Sequence, residues 1–131
     1  MTGIVCPVAV IRGGEEMAGD VLRPLGSFTG EAGQRTIHAR EVAAAVRVSF
    51  VRFEPGARTH WHSHSGGQVL HVTEGSGLAQ NRGEEVMRLA RGDTLAAAAG
   101  QEHWHGAGPD GPFTHLATTI GEVTWLEPPD S

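Results

Sequence analysis

The chain has 131 residues, 39% of them hydrophobic, and a formal net charge of −5 with histidines neutral, which suits one domain of ordinary size. Its ten basic residues are scattered, so we expect no nucleic acid and no membrane as a partner, and a small molecule instead. The sequence shows no apolar run long enough to cross a membrane, and we expect a protein that is not exported. Because Cys6 is the only cysteine, an internal disulfide is impossible, and we expect a reducing, cytoplasmic location.

The first forty residues give the least clear pattern. Residues 5–11 are compatible with a strand, whereas 13–20 and 29–34 carry glycine and polar side chains. Residues 39–46 are alanine-rich and would also suit a helical turn, although they lead directly into a β-branched alternation. We therefore describe residues 1–40 as an N-terminal arm and predict no domain boundary within residues 1–131.

From residue 46 onward, short apolar alternations are interrupted by turn residues about every eight to twelve positions, a pattern typical of a β-sandwich or barrel. We predict an all-β fold. The expected strands cover residues 46–53, 59–64, 68–74, 77–81, 85–90, 94–98, 103–106 and 114–120. Between two of them, Glu74-Gly75-Ser76-Gly77 predicts a hairpin turn, since glycine tolerates the positive φ that a tight reversal requires.

Three histidines stand at alternate positions in one predicted strand: His60, His62 and His64. Successive side chains of a strand point to opposite faces, so these imidazoles are expected to share one face. The carboxamide of Gln68 follows four residues later. This spacing predicts a cradle for a metal ion, formed largely by a single strand.

The same stretch resembles the first motif of the cupin family, G-x5-H-x-H-x3/4-E-x6-G. Gly56, His62, His64, Gln68 and Gly75 match its spacing throughout, with glutamine in place of glutamate. The resemblance implies a double-stranded β-helix, or jelly-roll barrel, with a metal site inside. It assigns ligand roles to the two histidines and to the glutamine.

The second cupin motif, G-x5-P-x-G-x2-H-x3-N, is matched at Gly92, Gly100 and His103. Ala98 replaces its proline and Ala107 its asparagine. The resemblance implies a fourth ligand at His103 and a single cupin domain with its barrel core at about residues 46–120.

A closer resemblance is to small manganese-dependent bacterial cupins described as (R)-selective hydroxynitrile lyases, and it runs through residues 53–64, 103–107 and 114–117. That family combines three histidines and a glutamine at the metal with a histidine on the last barrel strand, matched here by His115. The resemblance implies a carbon–carbon lyase that cleaves or forms cyanohydrins. It makes His115 the expected base, because an imidazole with a pKa near 6.5 exchanges protons at neutral pH.

Three further residues are candidates for the catalytic site. Thr59 precedes the histidine strand and could donate to a substrate hydroxyl or a ligand. His105 shares a face with His103 and is a second candidate proton carrier, or a residue that orients a ligand. His60 departs from the related family, which has a small residue there, and could narrow the pocket, act as a base or compete for the metal. Trp125, near the chain end, is expected to anchor the tail.

The cofactor is expected to be one divalent metal ion per chain. Imidazole nitrogens suit several first-row metals, including Mn(II), Fe(II), Ni(II) and Zn(II). Four protein ligands leave two open positions on an octahedral ion and none on a tetrahedral one, which favours Mn(II) or Fe(II) over Zn(II). The resemblance to manganese-dependent cupins implies Mn(II) of these two. Because exposed sheet edges favour self-association, we also expect a homodimer or homotetramer.

Several alternatives remain at this point. The histidines could be hydrogen-bonded core residues of an inactive barrel, and Gln68 could only brace the pocket. The same scaffold also supports dioxygenases, cyclases and isomerases, and a binding protein that holds a small ligand without turnover, because a fold does not determine a function.

Overall fold

The computed structural model describes residues 23–24, 27–38 and 45–130. All of their regular structure is β-strand, and no helix that could span a membrane occurs among them. The strands are β1 (Arg23–Pro24), β2 (Phe28–Thr29), β3 (Glu31–His38), β4 (Val46–Phe53), β5 (Arg58–Thr59), β6 (His62–His64), β7 (Gln68–Asn81), β8 (Met87–Ala90), β9 (Thr94–Ala97), β10 (His103–Ala107), β11 (Phe113–Ile120) and β12 (Val123–Trp125).

Two antiparallel sheets face each other. The first has the order β1-β3-β4-β11-β7-β9. The second has the order β8-β7-β10, and the far edge of β10 pairs with β5 and β6, which in turn pair with β2 and β12. Since β7 belongs to both sheets, they form a nearly closed barrel. The predicted all-β jelly roll is confirmed.

The predicted hairpin at residues 74–77 is wrong, because β7 continues through this segment and passes from one sheet to the other. Gly75 pairs with Phe113 in the first sheet, whereas Ser76 pairs with Ala90 in the second. Gly75 has a φ of 72°, and a Cβ atom there would collide with the carbonyl oxygen of Pro112. Glycine therefore permits the bend without ending the strand.

The predicted single strand at residues 59–64 is interrupted at His60 and Trp61, between β5 and β6. The amide of His60 donates to the carbonyl of Ser27 at 2.9 Å, and the amide of Trp61 donates to that of Glu127, also at 2.9 Å. These two residues are therefore bound to segments near the two ends of the chain rather than to β10. Because the strand is broken here, His60 does not share a strand face with His62 and His64 as expected.

Four strands among the described residues were not predicted: β1, β2, β3 and β12. The longest of them, β3, pairs along β4, and β12 pairs with β6. The inward position Gln34 of β3 lines the cavity, and Thr36 hydrogen-bonds Ser49 at 3.1 Å, so this strand lacks an apolar alternation. The strand expected at residues 5–11 and most of the possible helical turn at 39–46 lie outside the described residues.

Apolar side chains fill one end of the barrel. Phe53 and Phe113 are fully buried, with ring centroids 5.8 Å apart, and Phe28 packs on Phe53 at 5.6 Å. From Ser49 to Phe53 the β4 side chains alternate between buried and half-buried, and Val51 and Phe53 belong to this core. His115 borders the apolar end, and the polar inward-facing residues lie beyond it.

Candidate metal centre and active site

Three buried histidines from two paired strands lie together inside the barrel. His62 and His64 extend from β6, and His103 from the neighbouring β10, where it is paired with His62. One ring nitrogen from each lies within 4.8 Å of the others. Alternation within β6 puts its two imidazoles on the same face, and the strand pairing adds the third. The three histidines are positioned to bind a metal ion.

Backbone carbonyls determine which nitrogen of two of these rings is free. Nδ1 of His62 lies 2.8 Å from the carbonyl oxygen of His60, and Nδ1 of His103 lies 3.0 Å from that of Gln101. A carbonyl oxygen only accepts, so each Nδ1 must carry the hydrogen and donate it. In the neutral rings, Nε2 then has an unshared electron pair available for a metal ion.

Gln68 is oriented by a hydrogen bond that its amide nitrogen donates to Oγ1 of Thr119 at 3.1 Å. This bond directs Oε1 toward Nε2 of His103, 2.9 Å away. Both of these atoms are acceptors when His103 is neutral and the amide has this orientation, and a cation bound by both would satisfy them. Neighbouring ligands at about 2.1 Å from one octahedral ion are about 3 Å apart, which agrees with this separation.

His64 gives a second reason to expect a cation. It is only 5% exposed, yet neither of its ring nitrogens has a hydrogen-bond partner among the described residues. A buried polar atom without a partner is costly, and native structures usually supply one. Three imidazole nitrogens and an amide oxygen therefore fit a divalent ion of the borderline class.

Burial keeps these imidazoles neutral. Loss of solvation, followed by the proximity of His103, lowers the pKa of His62 to about 3 and that of His64 to about 4. Burial also lowers the pKa of His103. Their electron pairs are therefore free at neutral pH, where a metal ligand needs them.

The same shifts predict that the metal-free protein is sensitive to acid. The unfolded chain takes up protons on these histidines below about pH 6.5, whereas the folded chain resists them, so stability falls as pH decreases toward 4. We expect the melting temperature of the metal-free chain to drop by about 10 °C or more between pH 7.5 and 5. Differential scanning calorimetry measures it, and an unchanged melting temperature would contradict the buried, neutral cluster.

A second pair of histidines lies deeper in the barrel. His105 Nδ1 and His115 Nε2 are 2.9 Å apart, and both rings are at most 3% exposed. His105 Nε2 has no hydrogen-bond partner among the described residues. Burial lowers the pKa of His105 well below 6.5 and that of His115 to about 3. Burial and the neighbouring imidazoles disfavour the charged form, so the pKa of His115 lies below the 6.5 expected for it, and its role as base stays a prediction.

A cavity of about 910 Å³ opens beside the three-histidine cluster. Its wall includes two of the cluster histidines, the glutamine, and residues from the neighbouring strands. They are His62, His64, Gln68, Thr59, His105 and Trp125. The small side chain of Ala117 leaves space on the β11 side. A small organic molecule can thus reach the cluster and His105 together.

The other predicted catalytic residues differ in whether they line the cavity. Thr59 lines the cavity, and its Oγ1 accepts a hydrogen bond from the amide of His105 at 3.2 Å. His115 is completely buried and is not part of the cavity wall. It contacts His105, which does line the cavity. His60 is neither in the metal cluster nor among the lining residues. The catalytic roles of these residues stay predictions.

Trp125 is a lining residue that the sequence did not predict. Its ring centroid is 4.7 Å from that of His62, and it lies on the exposed strand β12. The signal that could have revealed it is weak: one aromatic residue in a three-residue strand. Its role as a tail anchor stays a prediction, and backbone hydrogen bonds from Trp61 to Glu127 and from Leu126 to Trp61 also hold this segment.

Comparison with known proteins agrees with this geometry. Residues 49–118 match the cupin domain model. This chain is a member of the cupin family. Over 110 residues, 79% of this chain and 82% of the relative, it is 44% identical to an (R)-mandelonitrile lyase from Granulicella tundricola.

Solved structures place this cupin among similar barrels. A cupin-like protein from Thermotoga maritima has a TM-score of 0.80 and 36% identity, covering 89% of this cupin and 90% of that chain. A DMSP lyase from Ruegeria pomeroyi has a TM-score of 0.68 and 18% identity, covering 87% of this cupin and 64% of that chain. The second likeness shows the fold alone.

Proposed function

We propose that this cupin is a metal-dependent hydroxynitrile lyase, which cleaves a cyanohydrin into an aldehyde or ketone and hydrogen cyanide. The observation that carries the proposal is the three-histidine cluster beside a cavity whose wall also includes His105, a residue with an unpartnered ring nitrogen. The 44% identity to an (R)-mandelonitrile lyase supports the same reaction and the (R) enantiomer.

His62, His64, His103 and Gln68 would hold the ion, and we propose Mn(II) as the resident metal. Gln68 brings no negative charge, so the full dipositive charge remains available. When bound, such an ion supplies Lewis acidity that offsets negative charge on a substrate oxygen or on cyanide. These four protein ligands would leave coordination positions free for a substrate on an ion that prefers six-fold coordination, but none on a tetrahedral ion.

His105 is the proposed proton carrier because it lines the cavity and its ring centroid lies 5.1 Å from that of His62 and 5.5 Å from that of His103. When its Nδ1 donates to Nε2 of His115, its own Nε2 has a free electron pair. Nε2 then takes the hydroxyl proton of the cyanohydrin as the bond to the nitrile carbon breaks and the electron pair leaves with cyanide. The same nitrogen returns the proton to cyanide, which gives the carbonyl product and hydrogen cyanide.

His115 and Thr59 act on either side of this carrier. His115 fixes the His105 tautomer through the 2.9 Å contact and lies too deep to touch a substrate. The Thr59 hydroxyl accepts from the His105 amide, so its hydrogen is free to bind the substrate oxygen. We therefore assign His115 to positioning and Thr59 to substrate orientation.

Cyanide release from racemic mandelonitrile tests the proposed function. The Mn(II)-loaded chain should release cyanide well above the buffer background and consume the (R) enantiomer first. Treatment with a chelator should lower the rate by at least about 100-fold, and Mn(II) should restore it better than Zn(II). A rate equal to the buffer background, or one unaffected by complete metal removal, would contradict the proposal.

A further inference from the structure

Trp125 presents a large aromatic surface at the cavity, next to a candidate metal ligand. It pairs with His62 across β12 and β6, and its ring lies 4.7 Å from that of His62 and 6.1 Å from that of Phe28. It nevertheless remains 42% exposed. An indole left this open on a cavity wall has area available for a ligand.

Groups other than the indole also hold the tail in place. The backbone of Trp61 exchanges hydrogen bonds with this segment: its amide donates to Glu127 at 2.9 Å, and its carbonyl accepts from Leu126 at 2.8 Å. Two hydrogen bonds from Arg82 to the Glu127 carboxylate, at 3.0 and 3.1 Å, add to them. The tail is therefore fixed by groups other than the indole of Trp125.

The other two tryptophans are used differently. The guanidinium of Arg82 lies 4.1 Å from the ring centre of Trp61, and that of Arg58 lies 4.6 Å from that of Trp104. Both rings are buried, at 8% and 2% exposure. Trp125 is the tryptophan that lines the cavity, so a ligand in the cavity would contact this indole.

We propose that Trp125, together with Phe28, binds an aromatic ring of the substrate beside the metal cluster and makes the site prefer aryl to alkyl substrates. The inference deepens the proposed function and, for turnover, rests on it. Offset-stacked or edge-to-face aromatic pairs are favoured beyond the area that they bury, by about two- to tenfold in binding. The preference should therefore depend on the aromatic ring at position 125 more than on its size.

Binding tests the inference without turnover. Benzyl alcohol and cyclohexylmethanol share a hydroxyl group and have similar size, but only the first is aromatic. In titration calorimetry with the Mn(II)-loaded full chain, Trp125→Leu should weaken the binding of benzyl alcohol about three- to tenfold and that of cyclohexylmethanol less than twofold. Trp125→Phe, which keeps a ring, should stay within about threefold of the unaltered chain for both. Equal losses for the two alcohols, or no measurable binding of benzyl alcohol, would overturn the inference.

Turnover gives a second test with its own control. Trp125→Leu should lower kcat/KM for mandelonitrile about three- to tenfold and leave that for an alkyl cyanohydrin nearly unchanged. Glu127→Gln weakens the tail contact without altering the indole. It should change kcat/KM for neither mandelonitrile nor the alkyl cyanohydrin. Loss of aryl preference in Glu127→Gln would assign the effect to the tail and contradict a role for the ring. If the unaltered chain cleaves no cyanohydrin but the alcohol pair behaves as expected, the proposed function fails and the aromatic subsite stands.

Discussion

His62→Ala is expected to lower kcat/KM for mandelonitrile at least about 1,000-fold, to the buffer background, because it removes one of the three clustered imidazoles. His62 Nδ1 donates its hydrogen to the His60 carbonyl at 2.8 Å, which leaves the electron pair of Nε2 free for a metal ion. Cyanide release under saturating Mn(II) measures the loss. A residual rate within about tenfold of the unaltered chain would contradict the ligand role.

Folding must be separated from ligation in this variant. The substitution leaves a small buried space, so the metal-free melting temperature is expected to fall by a few degrees at most, about 1–2 kcal/mol. A large excess of Mn(II) over its dissociation constant should raise the melting temperature of the unaltered chain by about 10 °C or more. The melting temperature of His62→Ala should rise little under the same conditions. His71→Ala, at an exposed position on β7 where the side chain bonds Thr94, is the matched control and should retain both the gain and the activity.

His105→Ala is expected to keep the metal and lose about 100- to 10,000-fold in kcat, the usual range for a general base. The expectation follows from its place on the cavity wall and from its free Nε2. Since burial lowers the pKa of His105 well below 6.5, kcat of the unaltered enzyme should not decline with acidity until well below pH 6.5. Steady-state kinetics with metal analysis on the same sample measures both effects.

His115→Ala distinguishes the carrier from its positioning partner. His115 touches His105 and the apolar end of the barrel, not the cavity. Its removal should lower kcat about 10- to 100-fold, less than the loss of His105, and should leave KM nearly unchanged. The reverse order of losses, or a His105→Ala enzyme within about threefold of the original, would refute the proposed proton path.

The metal cluster was largely predictable because its members are specified by local spacing. His62 and His64 alternate in one short strand, so they share a face wherever that strand lies. His103 and Gln68 came from the resemblance to the cupin motifs. His60 could not be separated from them by spacing, because the break after Thr59 depends on hydrogen bonds to Ser27 and Glu127.

The order of residues along the barrel interior was not predictable. His105 and His115 both point inward, and alternation cannot tell which of them reaches the open cavity and which lies against Phe53. The position of Trp125 on the cavity wall was not predictable, because β12 is three exposed residues long and has no periodic pattern. Strand β3 was missed for a related reason, since Gln34 faces the cavity and removes the apolar signal.

Continuity of β7 was hidden by its glycines. Glycines in a Glu-Gly-Ser-Gly run predict a reversal, and here Gly75 supplies a positive φ of 72° while the strand continues. The distinction depends on pairing partners far away in the chain, namely Phe113 on one side of the bend and Ala90 on the other. The local sequence therefore predicted where the chain bends, but not that the strand continues through the bend.

The metal content of the purified full chain, measured by emission spectroscopy after loading with Mn(II) and removal of free ion, tests the central claim most directly. The account predicts about one ion per chain, and fewer than about 0.1 in His62→Ala treated in the same way. A chain that retains no ion after loading, or a His62→Ala variant that retains as much as the unaltered chain, would contradict the metal centre and the chemistry proposed for it.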